Sequence, residues 1–353
     1  MPHTLRSRPV RVGILGAGNI SRTHALAARD IPGVAIAACW GRDPGKTSRL
    51  AEEFGAVACT TLDELVHHPS LDIVIIGTPS GLHADHAEHA ARHGVHVLVE
   101  KPLDVTSTRA DALIACCDEA GVKLGVVFQD RTASDLVWLR HAILTGALGN
   151  VFLASARVKW YRPPEYYAAS AWRGTPALDG GGALINQGIH TVDLLLWLLG
   201  DVRRVSAATR TAVHHIAVED TAVACLEFMS GALGTLEATT AAYPGFARRI
   251  EISGSAGTAV IEGDRVVSVD VRGGGPPDRP DTEANTNASP SSPVVSDVRG
   301  HRRVIENFLQ AIESGGRPLC DGRDGRRSVA LVEAIYEAAR TAQSVTLTGD
   351  GTH

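Results

Sequence analysis

At 353 residues the chain is long enough for two domains of roughly 150 residues each, and with 44% hydrophobic and 21% charged residues its composition is globular rather than disordered. Lys and Arg number 34 against 39 Asp and Glu, so the net charge of −5 lacks the basic surplus a nucleic-acid partner requires. The six cysteines form no C-x-x-C pair, the first nine residues lack a signal peptide's apolar stretch, and no run approaches the ~18 apolar residues of a membrane span; reduced thiols, a cytoplasmic location and no membrane partner are expected.

The stretches Val10–Leu15, Val34–Trp40, Ile73–Ile76, Val95–Val99 and Leu124–Phe128 are near-continuously apolar, as parallel strands covered on both faces should be. Helical patterns over Asn19–Asp30, Gly45–Phe54, Leu62–His67, Ala84–His93 and Ser107–Ala120 alternate with them. This predicts an α/β chain whose first domain, residues 9–128, is a doubly wound parallel sheet of the Rossmann type. The rest, 129–353, reads as a second α/β domain with a large, mostly antiparallel sheet. Its strands are Val151–Tyr161, Val202–Val213, Thr221–Phe228, Gly234–Ala241, Arg248–Ser253 and Ala259–Glu262, joined by one long helix over Gly182–Leu199 and two more at Val304–Glu313 and Val329–Ala342. Residues 273–298, rich in Pro, Gly, Ser, Asn and Asp, have little to bury and are expected to form a mobile loop.

Directly after the first strand stands Gly16-Ala17-Gly18-Asn19-Ile20-Ser21. Gly16 permits a tight turn, Gly18 lets backbone approach a pyrophosphate, and the N–H groups of a helix beginning at Asn19 and Ile20 offer positive charge. Ser21 replaces the usual third Gly or Ala and is small enough for close helix packing. The second strand ends at Trp40 without the acidic residue that ordinarily accepts the ribose hydroxyls of NAD. Gly41, Arg42 and Lys46 follow instead, which favours a 2′-phosphate and so NADP, while Asp43 leaves NAD open.

Two further segments carry chemistry. Glu100-Lys101-Pro102 sits at the carboxyl end of a strand, where sheets of this class bind ligands. In Gly180-Gly181-Gly182-Ala183-Leu184-Ile185-Asn186-Gln187-Gly188-Ile189-His190-Thr191-Val192-Asp193, a regular helix would put Asn186 and His190 on one face and bring Asp193 within reach of the same ring. His86, His89 and His93 fall on one helical face, but without the H-E-x-x-H pattern they do not argue for a metal, and none is expected.

Gly16-x-Gly18, Thr78-Pro79 with His83, Glu100-Lys101-Pro102 and the Gly-Gly-x-x-x-Asn-x-Gly-x-His-x-x-Asp run together resemble the Gfo/Idh/MocA oxidoreductases, over nearly the whole chain from Val10 to about Leu347. The resemblance implies hydride exchange between a nicotinamide cofactor and a sugar-like or cyclitol alcohol, an open second sheet used in a homodimer or homotetramer, and Lys101 and His190 as catalytic residues. Thr78, Pro79, His83 and Glu100 would then lie around the cofactor. Imidazole titrates near neutrality, which suits a general acid/base, and a cationic Lys101 would stabilise an alkoxide. Asn186 stands where the family usually has Asp; it can accept a hydrogen bond from His190 or bind substrate, but supplies no charge. Lys159, Tyr161, Trp172 and Arg173, with Asn186 and His190, are the substrate candidates, and Gln129 and Arg131 lie at the expected domain junction. Two rival readings are an enzyme that cleaves a glycoside by transient oxidation with retained NAD, and a non-catalytic nucleotide- or sugar-binding regulator.

Overall fold

The computed structural model describes residues 8–169, 172–274, 279 and 297–348. The chain divides into two compact units, residues 1–129 with 294–326, and residues 130–293 with 327–353.

In the first unit, β1 (Val10–Leu15), β2 (Val34–Trp40), β3 (Val57–Ala58), β4 (Ile73–Ile76), β5 (His96–Glu100) and β6 (Leu124–Val127) form one parallel sheet in the order β3-β2-β1-β4-β5-β6. That is the dinucleotide-binding order, in which direction reverses between β1 and β4 and opens a crevice at their carboxyl ends. The crossover helices are α1 (Asn19–Arg29), α2 (Pro44–Phe54), α3 (Leu62–Val66), α4 (His83–Arg92) and α5 (Ser107–Ala120). Their starts follow local chemistry: Asp43, Thr61 and Thr106 each accept a backbone N–H of the helix they cap. The apolar runs are buried throughout, as both-sided burial demands; Val12, Ile14, Val74, Ile76, Val97 and Val99 are each 0% exposed.

In the second unit, α6 (Ser134–Leu144), β7 (Val151–Lys159), α7 (Pro164–Ala168), α8 (Ile189–Leu199), β8 (Val202–Arg210), β9 (Thr221–Phe228), β10 (Leu233–Thr239), β11 (Arg249–Gly254), β12 (Gly257–Glu262), β13 (Arg265–Val271) and β14 (Val345–Thr346) appear in chain order. The eight strands run β13-β12-β11-β7-β10-β9-β8-β14, antiparallel except where β10 pairs with β7. Alternate residues of β9 and β10 are buried, so the sheet has one packed and one open face.

Two expectations need correction. The last part of the chain does not belong wholly to the second unit: α9 (Arg299–Ser314) buries Val304, Ile305, Phe308 and Ile312 in the core of the first, and α10 (Gly322–Thr341) begins there. A Cβ on Gly125 would lie 2.7 Å from the Phe308 ring, so the glycine in β6 makes room for that helix. The helix expected over Gly182–Leu199 is two pieces, a π-helical segment Ala183–Gly188 followed by α8. The expected loop 273–298 lies for the most part outside the described residues. Among the described residues, no helix is long and apolar enough to cross a membrane.

Candidate active site

The first unit presents a phosphate cradle at the carboxyl ends of β1 and β4. Gly16 has φ +113°, donates to the Trp40 carbonyl at 2.7 Å, and a Cβ there would meet the Gly77 carbonyl and Ser21 Oγ, both at 2.7 Å. Only glycine fits the turn. Ser21, 1% exposed, packs against Gly77 as a small residue should. Gly18 caps α1 in extended conformation, and a Cβ on it would meet nothing within 4 Å, so the amino end of α1 is open to a ligand. These residues fit the pyrophosphate of a dinucleotide. Beside the end of β2, Arg42 and Lys46 are exposed, while the Asp43 carboxylate is engaged as the cap of α2, accepting the Lys46 N–H at 3.0 Å. Gly41 lies against Ala17 and Thr47, with no room for a larger side chain.

Glu100 is buried at the end of β5. One carboxylate oxygen accepts from His24 Nε2 at 2.8 Å and lies 3.9 Å from His301 Nε2, and the other accepts the Lys101 backbone N–H at 3.0 Å. Burial alone would raise this carboxyl; the His24 hydrogen bond, with His24, His301 and Lys101 around it, outweighs burial and holds it at about 2. Glu100 therefore anchors the turn that carries Lys101. His24, Glu100 and His301 offer ligand atoms within 4.8 Å of one another, but 2.8 Å between His24 and the carboxylate is hydrogen-bond geometry and we read the group as an ion-pair cluster.

His83 is buried between the Lys101 turn and the Thr78-Pro79 loop. Its ring is 1% exposed, with Nδ1 on the Pro102 carbonyl at 2.7 Å and Nε2 on the Thr78 carbonyl at 2.9 Å. It ties the Thr78-Pro79 loop to the Lys101-Pro102 turn, and burial holds its pKa down. His86, His89 and His93 do not converge on one point: His86 meets Thr78 Oγ1 and His89 meets Asp63.

In the second unit His190, on the first turn of α8, has 13% of its side chain exposed. Its Nδ1 lies 3.5 Å from Asp130 Oδ2. Asp130 in turn accepts from Arg248 Nη1, and Arg248 is 3% exposed with Nε on the Gly263 carbonyl. Asn186 is turned elsewhere: its Nδ2 donates to Asp179 and its Oδ1 accepts from Gln187 Nε2 at 3.2 Å. Glu219, 8% exposed, accepts the N–H groups of Gly182 and Leu184 and the Tyr336 hydroxyl, and so fixes the glycine run; burial raises its pKa.

Residues 10–128 match an oxidoreductase family with an NAD-binding Rossmann fold, and residues 136–260 match the GFO/IDH/MocA C-terminal domain. A D-apiose dehydrogenase of Paraburkholderia graminis is 30% identical over 95% of this chain and 88% of its own length. The chain belongs to the Gfo/Idh/MocA oxidoreductase family. An inositol 2-dehydrogenase of Rhizobium meliloti is 27% identical over 96% of this Gfo/Idh/MocA chain and 99% of its own. Among solved structures, the WlbA dehydrogenase of Bordetella pertussis, in complex with NADH and UDP-GlcNAcA, superposes with a TM-score of 0.86 at 33% identity, covering 98% of this chain and 99% of its own.

Asn186 and Asp193, both expected beside the His190 ring, have short contacts with other residues. Asn186 lies in the π-helical segment, where hydrogen bonding runs i to i+5 and the four-residue spacing no longer aligns side chains. Asp193 is 0% exposed and bonded through both oxygens to Arg131, at 2.8 and 2.7 Å, with Ser328 at 3.2 Å. Arg131, two residues past the end of the first unit's leading segment as expected of a junction residue, is also a buried ion-pair partner within the second unit. Of the substrate candidates, Arg173 stacks over Tyr166 at 4.2 Å and Trp172 accepts from Thr175, whereas Lys159 is tied to Glu237 at 2.7 Å and Tyr161 packs edge-on against Tyr243. Sequence reasoning passed over Asp130, Arg248, Asp179, Glu219 and Arg162. Tyr166 lies between the guanidinium groups of Arg162 and Arg173, and its hydroxyl accepts from Gln187 at 3.2 Å.

Proposed function

We propose that this chain is an NAD(P)-dependent dehydrogenase or reductase for a secondary alcohol or ketone of a sugar, sugar derivative or cyclitol, with His190 as general acid/base and Lys101 as its cationic assistant. The observation that carries the reading is the pairing of His190 with a buried carboxylate, Asp130, on a segment whose neighbours Asn186 and Gln187 present polar groups. Bound nicotinamide supplies the hydride acceptor or donor. In the oxidative direction His190 takes the proton of the substrate hydroxyl while the C–H hydride leaves carbon and a ketone forms; in reverse, His190 returns the proton. Lys101, carried by the Glu100-anchored turn, would supply the cation that stabilises negative charge developing on that oxygen, the role that the family resemblance implies for it. Gly16, Gly18 and the N–H groups of Asn19 and Ile20 would hold the pyrophosphate, with Thr78 and Pro79 forming the facing loop. Arg42 and Lys46 favour NADP as two exposed cations beside the end of β2 that would pair with a 2′-phosphate, against the ionised Asp43 carboxylate, which caps α2 and lies 3.9 Å from Lys46 Nζ.

The relatives act on a pentose and a cyclitol, and the solved relative holds a nucleotide-linked sugar acid. Their shared chemistry is a polyhydroxylated ring. Within that class the two guanidinium groups flanking Tyr166 favour a substrate that also bears a carboxylate or phosphate. The test is reduced-cofactor absorbance with NAD and NADP across sugars, inositols, uronic acids and nucleotide sugars. Wild type should turn over at least one class, with His190→Ala and Lys101→Ala slower by on the order of 10²-fold or more; no turnover anywhere, or variants as fast as wild type, overturns the reading.

A further inference from the structure

We propose that Asp130 is the positioning residue of His190, supplying from the turn after β6 the carboxylate that position 186 of this chain does not provide. The assignment rests on the dehydrogenase reading above and deepens it.

The ionisable group placed against the His190 ring is Asp130, whereas the polar side chains three and four residues away along the chain have short contacts with other residues. Asp193, three residues on, is bonded through both oxygens to Arg131. Asn186 carries no charge and faces Asp179. Asp130 has Oδ2 3.5 Å from His190 Nδ1 and only 6% of the residue exposed. In catalytic sites without substrate such contacts are often long and shorten in the complex. Asp130 is itself held: its carbonyl accepts the Ala133 N–H at 3.0 Å, and Arg248 donates to the same Oδ2 while anchored on the Gly263 carbonyl at 2.6 Å. Asp264, pushed up to about 6 by burial and then by Asp130, and Asp135 on α6 complete the charged surroundings.

The consequence is a defined tautomer. A carboxylate can only accept, so neutral His190 keeps its proton on Nδ1, toward Asp130, and Nε2 offers its lone pair to the substrate hydroxyl. When Nε2 takes that proton, the imidazolium faces a fixed negative charge.

Two measurements test this. Nitrogen NMR of the full-length protein labelled with 15N-histidine, assigned by loss of the signal in His190→Gln, should show neutral His190 protonated at Nδ1; protonation at Nε2 overturns the assignment without any change to Asp130. Kinetically, Asp130→Asn should lower kcat on the order of 10²-fold with KM changed less than about threefold, and Asp130→Glu should recover part of the loss. An unchanged kcat, or a loss confined to KM, leaves Asp130 as a mere partner of Arg248 and refutes the proposal. If Asp130→Asn fails to fold, the wild-type tautomer decides. The NMR reading needs no substrate, so failure of the dehydrogenase reading and failure of this assignment appear in different data.

Discussion

Replacing Glu100 with Gln should remove an acid-sensitive part of the first unit's stability. The Glu100 carboxyl is held at about 2 against an ordinary value of 4.5, and since each pH unit of displacement is worth about 1.4 kcal/mol, the ionised form contributes about 3 kcal/mol at neutral pH. Because the folded value lies below the unfolded one, that contribution is complete above pH 4.5 and declines as pH falls toward 2. At about pH 3.5 some 1.4 kcal/mol should already be gone, roughly a tenfold rise in the opening equilibrium. Amide hydrogen exchange, corrected for intrinsic rates and read on peptides covering α1 and β5, reports that equilibrium for this unit alone. Between pH 7 and about 3.5 wild type should lose about tenfold more protection there than Glu100→Gln does. Parallel pH profiles for the two proteins would refute the view that Glu100 is an ionised anchor for the Lys101 turn.

Gly182→Ala should abolish turnover and destabilise the second unit, because the new Cβ would lie 1.7 Å from the Glu219 backbone carbonyl; thermal unfolding and kcat check this, and a variant with wild-type values of both contradicts it. Arg42→Ala should raise the Kd for NADP about tenfold while changing that for NAD by less than about twofold, as loss of one charge-assisted phosphate contact requires. Equal changes for both cofactors in a binding titration would remove Arg42 from the 2′-phosphate.

Much of the first unit was legible in the sequence because both-sided burial writes strands as unbroken apolar runs: Val10–Leu15 and Val34–Trp40 have the predicted bounds. α6 was not legible, since its sequence SDLVWLRHAIL is apolar on every face, with Val137 and Leu144 exposed beside buried Leu136 and Leu139. The placement of α9 depends on Phe308 meeting Gly125, a contact between distant parts of the chain that no local pattern announces. The site shows the same division. The glycine turn and the Glu100-Lys101-Pro102 motif are local and were readable. A π-helical segment alters the spacing assumed between Asn186 and His190, and Asp130, with Oδ2 3.5 Å from the His190 ring, lies sixty residues upstream, where no local pattern links the two. An acidic residue directly after the last parallel strand, between Gln129 and Arg131, was the signal that could have found it.

The most direct test of the central claim follows a label. With a substrate that the panel shows to be turned over, deuterated at the carbon bearing the reactive hydroxyl, wild-type protein should deliver the deuterium to the nicotinamide ring of the released cofactor, one label per ketone formed. If the label instead stays in a cleaved sugar, or exchanges into water without any accumulation of reduced cofactor, the chain is not a dehydrogenase in the sense argued above.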